Sequence, residues 1–173
     1  MSRLELIATA TFGLEAVVKR EIENLGFKIL KSEDAKITFM GDERALVKAN
    51  LWLRSADRIL IKLGEFETDT FEALFQQTRA LPWEEWIPED AKFTVTGTSV
   101  KSKLHSVPDC QAIVKKAIVE KLKEFYCRQW FEETGPEYVI KVGLLKDRAT
   151  ITLDTSGAGL HKRGYRVKDV AAP

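Results

Sequence analysis

The sequence predicts an α+β protein built in two parts, and three observations carry that expectation. The first third of the chain shows strand and helix periodicities in the order βαββαβ. The second half shows a strand, a long apolar helical stripe and a hairpin. The composition, 45% hydrophobic and 31% charged over 173 residues, is that of a chain that folds around a core rather than a disordered tail or a fibre.

The elements of the first part come in order. Leu4, Leu6 and Ala8 alternate with Glu5 and Thr9, the pattern of a half-buried strand. Leu14, Val17, Val18, Ile22 and Leu25 then recur at helical spacing, which places them on one face and turns Glu15, Lys19 and Glu23 away from it. Gly26 comes next, where a left-handed helix terminus is easiest to form. Phe27 to Leu30 and Ile37 to Met40 read as two strands joined by the polar stretch Ser32-Glu33-Asp34. Asp42 is placed to cap a helix running to about Leu53, and Ile59, Ile61 and Leu63 share one face of a fourth strand. This order is that of the ferredoxin-like fold, whose sheet is covered on one face by two helices. That fold hosts many functions and implies none by itself.

The second part opens with a connector from Thr68 to Asp90. Phe71, Leu74, Phe75 and Thr78 have helical spacing behind a cap at Asp69 or Thr70. Pro82, Trp83, Trp86 and Pro88 come after them, and the two tryptophans read as anchors of a loop against its domain rather than as base-stacking platforms. Phe93 and Val95 alternate with Thr94 and Thr96 in a strand. Lys101-Ser102-Lys103 is a polar loop, and Ser106 or Asp109 starts a long helix whose first turn accommodates Pro108. Its predicted apolar face is Ile113, Val114, Ala117, Ile118, Leu122 and Phe125. Residues 138–154 read as a hairpin: Ile140, Val142 and Leu144 share a face, Lys146-Asp147 makes the tight turn, and Ile151 and Leu153 return. From Thr155 to Arg166 the chain is rich in glycine and basic residues and lacks periodicity.

With 27 basic and 26 acidic side chains the formal net charge is +1, which excludes a uniformly basic nucleic-acid coat. The charge is unevenly spread: net 0 over residues 1–67, −5 over 68–90 and +6 over 91–173. Affinity for phosphate is therefore expected in the second half and not in the connector. No apolar run approaches the roughly 20 residues of a membrane span, and the N-terminus lacks the pattern of a signal peptide. The only cysteines, Cys110 and Cys127, make no disulfide framework. These features point to a cytoplasmic protein with reduced thiols and no membrane partner.

Cys110 and Cys127 fall on different faces of one predicted helix, several turns apart, so they cannot pair. With His105 and His161 they match no common zinc spacing, and both are expected as buried structural thiols. Neither a catalytic set nor a metal site is predicted. Gly157, Gly159 and Gly164 fit no nucleotide loop: G-x-G-x-x-G fails at Lys162, and G-x-x-x-x-G-K-[ST] fails at Tyr165-Arg166. Two basic clusters remain. The stretch from Gly159 to Arg166 gathers Lys162, Arg163 and Arg166 with His161 and Tyr165; the cations suit backbone phosphates and the tyrosine suits an unpaired base. Composition reads the same stretch equally well as a solvated linker. Lys101-Ser102-Lys103-Leu104-His105 lies at a helix start, where free N–H groups and the helix dipole favour an anion. An ordinary capped helix start is its plain alternative.

In this order and setting the two clusters resemble the THUMP domain of RNA-modifying enzymes. Ser99-Val100-Lys101-Ser102-Lys103-Leu104, with Gln111 beyond it, resembles its strand-to-helix passage. Asp154-Thr155-Ser156-Gly157 and then Leu160-His161-Lys162-Arg163-Gly164-Tyr165-Arg166 resemble its closing segment in one subfamily, the THUMP-containing class I methyltransferases. That subfamily comprises 23S ribosomal RNA guanine-N2 methyltransferases and proteins described as adenine-specific methylases. The resemblance covers essentially the whole chain. It implies a ferredoxin-like domain over 1–67, a THUMP α/β domain over 68–166, and the start of a linker over 167–173.

In that family a Rossmann-like domain comes after this region, with a glycine-rich S-adenosylmethionine loop and an Asn/Asp-Pro-Pro-Tyr motif, and neither feature lies in this sequence. The resemblance thus implies a fragment that is not itself an enzyme and holds no cofactor. It would bind and position RNA for an S-adenosylmethionine-dependent methyltransferase, with 23S ribosomal RNA guanine-N2 as the favoured target. The implied partners are a structured RNA, ribosomal in preference to transfer RNA, and the methyltransferase domain of the same chain. The implied contacts are Lys101, Ser102 and Lys103 on phosphate, Lys162, Arg163 and Arg166 along the groove, Tyr165 as a stacker, and His161 beside them. Two other readings stay open. One is a scaffolding domain whose basic tail contacts a protein partner; the other is an enzyme using Cys110 or Cys127 with a histidine.

Overall fold

In the computed structural model, which describes residues 3–162, the N-terminal alternation becomes β1, Leu4–Ala10, and the helical stripe becomes α1, Glu15–Asn24. The strands β2, Lys28–Glu33, and β3, Lys36–Gly41, are succeeded by α2, Glu43–Trp52, and β4, Ala56–Glu67. The chain divides into two compact units. One runs to Leu60 and takes in the residues after Asp154; the other is Ile61–Asp154. Strand β4 contributes its first residues to the former and its last to the latter.

In the first unit the neighbour order is β2-β3-β1-β4, with β3 antiparallel to both β1 and β2, the arrangement expected of the ferredoxin-like pattern. Leu6, Val18, Ile22, Ile37, Phe39 and Ile59 are wholly buried, each worth about 1.5–3 kcal/mol relative to exposure. Asp42 caps α2 as predicted, its Oδ1 accepting the Ala45 N–H at 2.8 Å. Gly26 adopts φ +86°, the left-handed terminus expected there.

Two details of this unit differ from the sequence reading. Leu14 and Val17 stay 41% and 46% exposed, so the buried stripe of α1 narrows to Val18 and Ile22. Glu15, read only as lying off the apolar face, ties the helix start to the β2–β3 turn, its carboxylate accepting from Ala35 and Gly13 N–H, both at 2.9 Å. The Ala35 amide first, then its own and that of Gly13, hold its carboxyl below the usual range. Ser32 and Glu33 belong to β2, and the turn is Asp34-Ala35, with Ala35 at φ +59°. β2 lies at the end of the strand order and is exposed along most of its length, so it shows little apolar alternation in its sequence.

The second unit holds α3, Phe71–Arg79, then β5, Lys92–Val100, α4, Val107–Tyr126, β6, Glu137–Leu145, and β7, Arg148–Asp154. Its neighbour order is β4-β7-β6-β5, with β5 parallel to β6 and β7 antiparallel to it. The predicted connector is an integral part of this unit. Thr70 Oγ1 caps α3 by accepting the Ala73 N–H at 3.2 Å. Trp83 is wholly buried and its indole N–H donates to the Thr78 carbonyl at 2.7 Å, the anchoring role read from the sequence. On α4, Val114, Ala117, Ile118 and Leu122 are buried as expected. Phe125 is 56% exposed; Tyr126 turns inward in its place, its hydroxyl donating to the Ile87 carbonyl at 3.0 Å. Cys110 is buried, and desolvation pushes its thiol pKa up. Cys127 corrects the expectation of two buried thiols: it ends the helix in a left-handed conformation, φ +52°, and is exposed. Among the described residues no helix is long and apolar enough to cross a membrane.

Candidate nucleic-acid interface

Parallel pairing places the ends of β5 and β6 side by side, Val100 opposite Leu145. The loop that leaves β5 and the turn that leaves β6 therefore meet. Lys146 N–H donates to the Val100 carbonyl at 3.1 Å. Lys146 and Asp147 have φ of +50° and +60°, the conformation of a two-residue hairpin turn whose twist suits the flanking strands.

Asp147 fixes the neighbouring loop through two hydrogen bonds and ties it to the end of β4 through a third. Its Oδ1 accepts the Lys103 N–H at 2.7 Å. Its own N–H donates to Ser102 Oγ at 3.0 Å, and its carbonyl accepts the Thr68 N–H at 2.8 Å. Ser102 Oγ in turn donates to the Val100 carbonyl at 3.2 Å. Ser99 Oγ donates to the carbonyl of buried Leu104 at 2.7 Å. Lys101 turns the chain at φ +50°. Ser106 occupies the N-cap of α4 without a side-chain hydrogen bond to the helix, so the amides of its first turn receive no acceptor from that residue.

The cations of this loop are not equivalent. Lys103 Nζ bonds Asp69 Oδ2 at 3.0 Å. That bond holds the Asp69 carboxyl below its ordinary range and the Lys103 ammonium above its own. Arg148 spans Glu65 and Glu67 at 3.2 and 3.1 Å. Glu65 is held low chiefly by Lys62, with Arg148 a smaller cause. Lys101 and Lys146 are exposed, and neither has an ion pair among the described residues. The structure thus brings Lys101, Ser102 and Lys103 together, commits the serine and Lys103 to internal partners, and adds Lys146. Read from the sequence, Lys146 and Asp147 have only the role of a turn. Nothing local in the sequence signals that Asp147 reaches a loop whose Lys103 lies 44 positions earlier.

The second cluster belongs to the first unit. Leu160–Lys162 forms a single 3₁₀ turn with Leu160 buried. His161 and Lys162 are exposed, and Lys162 N–H donates to the Gly159 carbonyl at 2.8 Å. The imidazole lies against Gly159, where an added Cβ would stand 2.7 Å from His161 Cε1. Arg163, Tyr165 and Arg166 lie outside the described residues. Beside this turn is a cleft of about 680 Å³ lined by α2 and the segment after β7, including Val47, Leu51, Ala158 and Leu160. Its polar groups bond to one another and to the main chain. Asn50 Nδ2 donates to Thr155 Oγ1 at 3.1 Å, Ser156 Oγ to Asn50 Oδ1 at 2.8 Å, and Thr155 Oγ1 to the Ile59 carbonyl at 2.8 Å. Among the described residues no group of three or more His, Cys, Asp or Glu could hold a metal ion.

A family profile described as the RlmL ferredoxin-like domain matches residues 5–60, and one described as the THUMP domain matches residues 68–154. Among curated proteins, "Putative RNA methyltransferase YpsC" of Bacillus subtilis is 55% identical over 175 residues, covering 100% of this chain and 45% of that protein. "Ribosomal RNA large subunit methyltransferase K/L" of Cellvibrio japonicus is 29% identical over 170 residues, covering 98% of this chain and 23% of that protein. Among solved structures, "a predicted N6-adenine-specific DNA methylase" from Listeria monocytogenes superposes with a TM-score of 0.95 at 54% identity, over 100% of this chain and 46% of that one. "SMU.472, a putative methyltransferase complexed with SAH" superposes with a TM-score of 0.91 at 47% identity, over 97% of this chain and 45% of that one. The chain spans less than half the length of each of these relatives.

Proposed function

Given that this chain belongs to the THUMP domain family, its residues 68–154 matching that profile, we propose that it is the RNA-binding, substrate-positioning part of a longer S-adenosylmethionine-dependent RNA methyltransferase of the cytoplasm. The target is a structured ribosomal RNA, with a 23S guanine N2 as the methylated atom. The module comprises residues 68–166, carried beside a ferredoxin-like domain over 1–67, and the chain from 167 leads to the catalytic domain. The single observation that supports this best is the built loop 101–103, which Asp147 holds in one conformation while Lys101 and Lys146 stay uncommitted.

A polyanion would meet Lys101 and Lys146 first, as point charges that displace counterions from phosphates. Lys103 would join by exchanging Asp69 for a phosphate oxygen, and Ser102 by turning its hydroxyl from the Val100 carbonyl to the phosphate. Lys162, Arg163 and Arg166 would add contacts from the first unit, with His161 beside them and Tyr165 stacking on an unpaired base. Held in this way, the target base is presented to a tethered catalyst at high effective concentration. In the cleft beside α2 the polar side chains Asn50, Thr155 and Ser156 bond one another and the main chain, which favours a place for S-adenosylmethionine elsewhere. The cofactor is assigned to the catalytic domain.

The test is RNA binding by the longer protein with Lys101→Ala and Lys103→Ala combined. Affinity should fall, and the slope of log K against log salt should flatten by roughly one unit for each phosphate no longer neutralised. An unchanged affinity and slope would refute these assignments.

A further inference from the structure

We propose that the cleft between α2 and the segment 155–162 is a docking surface for the catalytic domain of the longer protein. This rests on the proposed function, which supplies such a domain. The first observation is the composition of α2. Ala45 and Ala49 are buried on its inner side. Away from them Val47 and Leu51, one turn apart, are 58% and 62% exposed, where a surface helix normally turns polar residues to water. Single exposed apolar residues are ordinary, but a contiguous group of large ones marks a surface that something covers.

The second observation is the chemistry of the cleft. Val47, Leu51, Ala158 and Leu160 line it, and its hydroxyl and amide groups are already bonded to one another and to the main chain. Lys162 at its rim apart, it therefore presents apolar wall and few free donors, which suits an apolar protein surface better than a phosphate backbone. The third concerns the identity of the occupant. Lys162, the last described residue, lines the cleft, and the relatives run to more than twice the length of this chain. The remainder of the longer protein is joined to the same chain, and tethering raises its effective concentration, to the order of millimolar for a short flexible linker. A modest attraction suffices for docking under those conditions.

The experiment measures thiol alkylation in the longer protein, peptide by peptide, with Val47→Cys compared to Lys19→Cys on exposed α1. Cys127, which is exposed, is replaced by serine. Because Val47 and Lys19 both lie on the surface, both variants should fold, and an unchanged circular dichroism melt checks that they do. Without RNA, the thiol at 47 should react at least about tenfold more slowly than the thiol at 19, and should react as fast as it in the 173-residue chain. Equal rates in the longer protein would overturn the proposal. So would slow reaction in both lengths, which would assign the cover to residues of this chain. Slow reaction only after RNA is added would make the cleft an RNA-binding surface and overturn it likewise. The RNA-binding reading fails separately, on the salt slope of the lysine variants, which this measurement does not touch.

Discussion

The two basic clusters look alike in the sequence and differ in how the fold holds them. In loop 101–105, Asp147 accepts from Lys103 N–H and donates its own N–H to Ser102, while Asp69 holds the Lys103 ammonium. In the 160–162 turn, the fixing elements are one buried leucine, one main-chain hydrogen bond and an imidazole laid on a glycine. The first cluster is a shaped loop with part of its charge already neutralised. The second is a short exposed turn whose Lys162 has no ion pair among the described residues. The contrast teaches that counting lysines and arginines measures the supply of cations and not how many are free to meet an anion.

The comparison can be broken or sharpened by substitution. The largest effect is expected from neutralising the uncommitted pair, Lys101→Gln with Lys146→Gln. RNA affinity of the longer protein at low salt should drop about tenfold or more, with a salt slope lower by about 1.5 units. Titrations at several salt concentrations check this, and a loss no greater than that of Lys103→Gln alone would show that commitment to Asp69 does not discount a cation.

Next is Asp147→Ala. It removes the acceptor of the Lys103 N–H and places a residue without a side-chain acceptor at φ +60°. Stability should fall by about 1–2 kcal/mol, read from chemical denaturation, and RNA affinity should fall although no basic residue has changed. Asp147→Asn, which keeps an acceptor and tolerates that φ, should lose less.

Asp69→Asn has a smaller and opposite effect on binding. It frees Lys103, and affinity should rise by about two- to threefold, the scale of an exposed ion pair. The pH dependence comes from the directions of the shifts. Asp69 lies below its ordinary 3.8 in the folded chain, so the pair's contribution is present above that value and is lost as pH falls through the lower, folded one. Lys103 lies above 10.5, so its contribution is lost only as pH rises through that higher value. Across neutral pH the competition between Asp69 and phosphate is constant. A carboxyl titration monitored by NMR should place Asp69 below an unpaired aspartate. The smallest effect belongs to Gly159→Ala, where an exposed imidazole can swing aside; stability should move by no more than about 0.5 kcal/mol.

Much of the fold was legible because its signals are local. Asp42 and Thr70 each cap a helix from the position their spacing indicated, and the Lys146-Asp147 turn lies where the two apolar alternations break. The features that escaped depend on distant partners. Phe125 shares the helical spacing of Leu122, yet at the end of α4 it is the half-buried Tyr126 that bonds inward, to the Ile87 carbonyl. Cys127 looked like one more small buried residue until the helix stopped on it. In the candidate interface the basic residues could be read off directly. Their states could not, since Asp69 and Asp147 reach Lys103 from 34 and 44 positions away. Nor did any local pattern disclose the parallel pairing of β5 with β6 that brings Lys146 beside Lys101.

The hairpin between β6 and β7 acts as a gauge for the loop beside it. Asp147 meets Ser102 and Lys103 because the turn holds two residues and no more, so one inserted residue there would displace the carboxylate while leaving every cation in place. Homologues with identical lysines but a longer turn would then grip nucleic acid differently, and their divergence would be written in spacing rather than in charge.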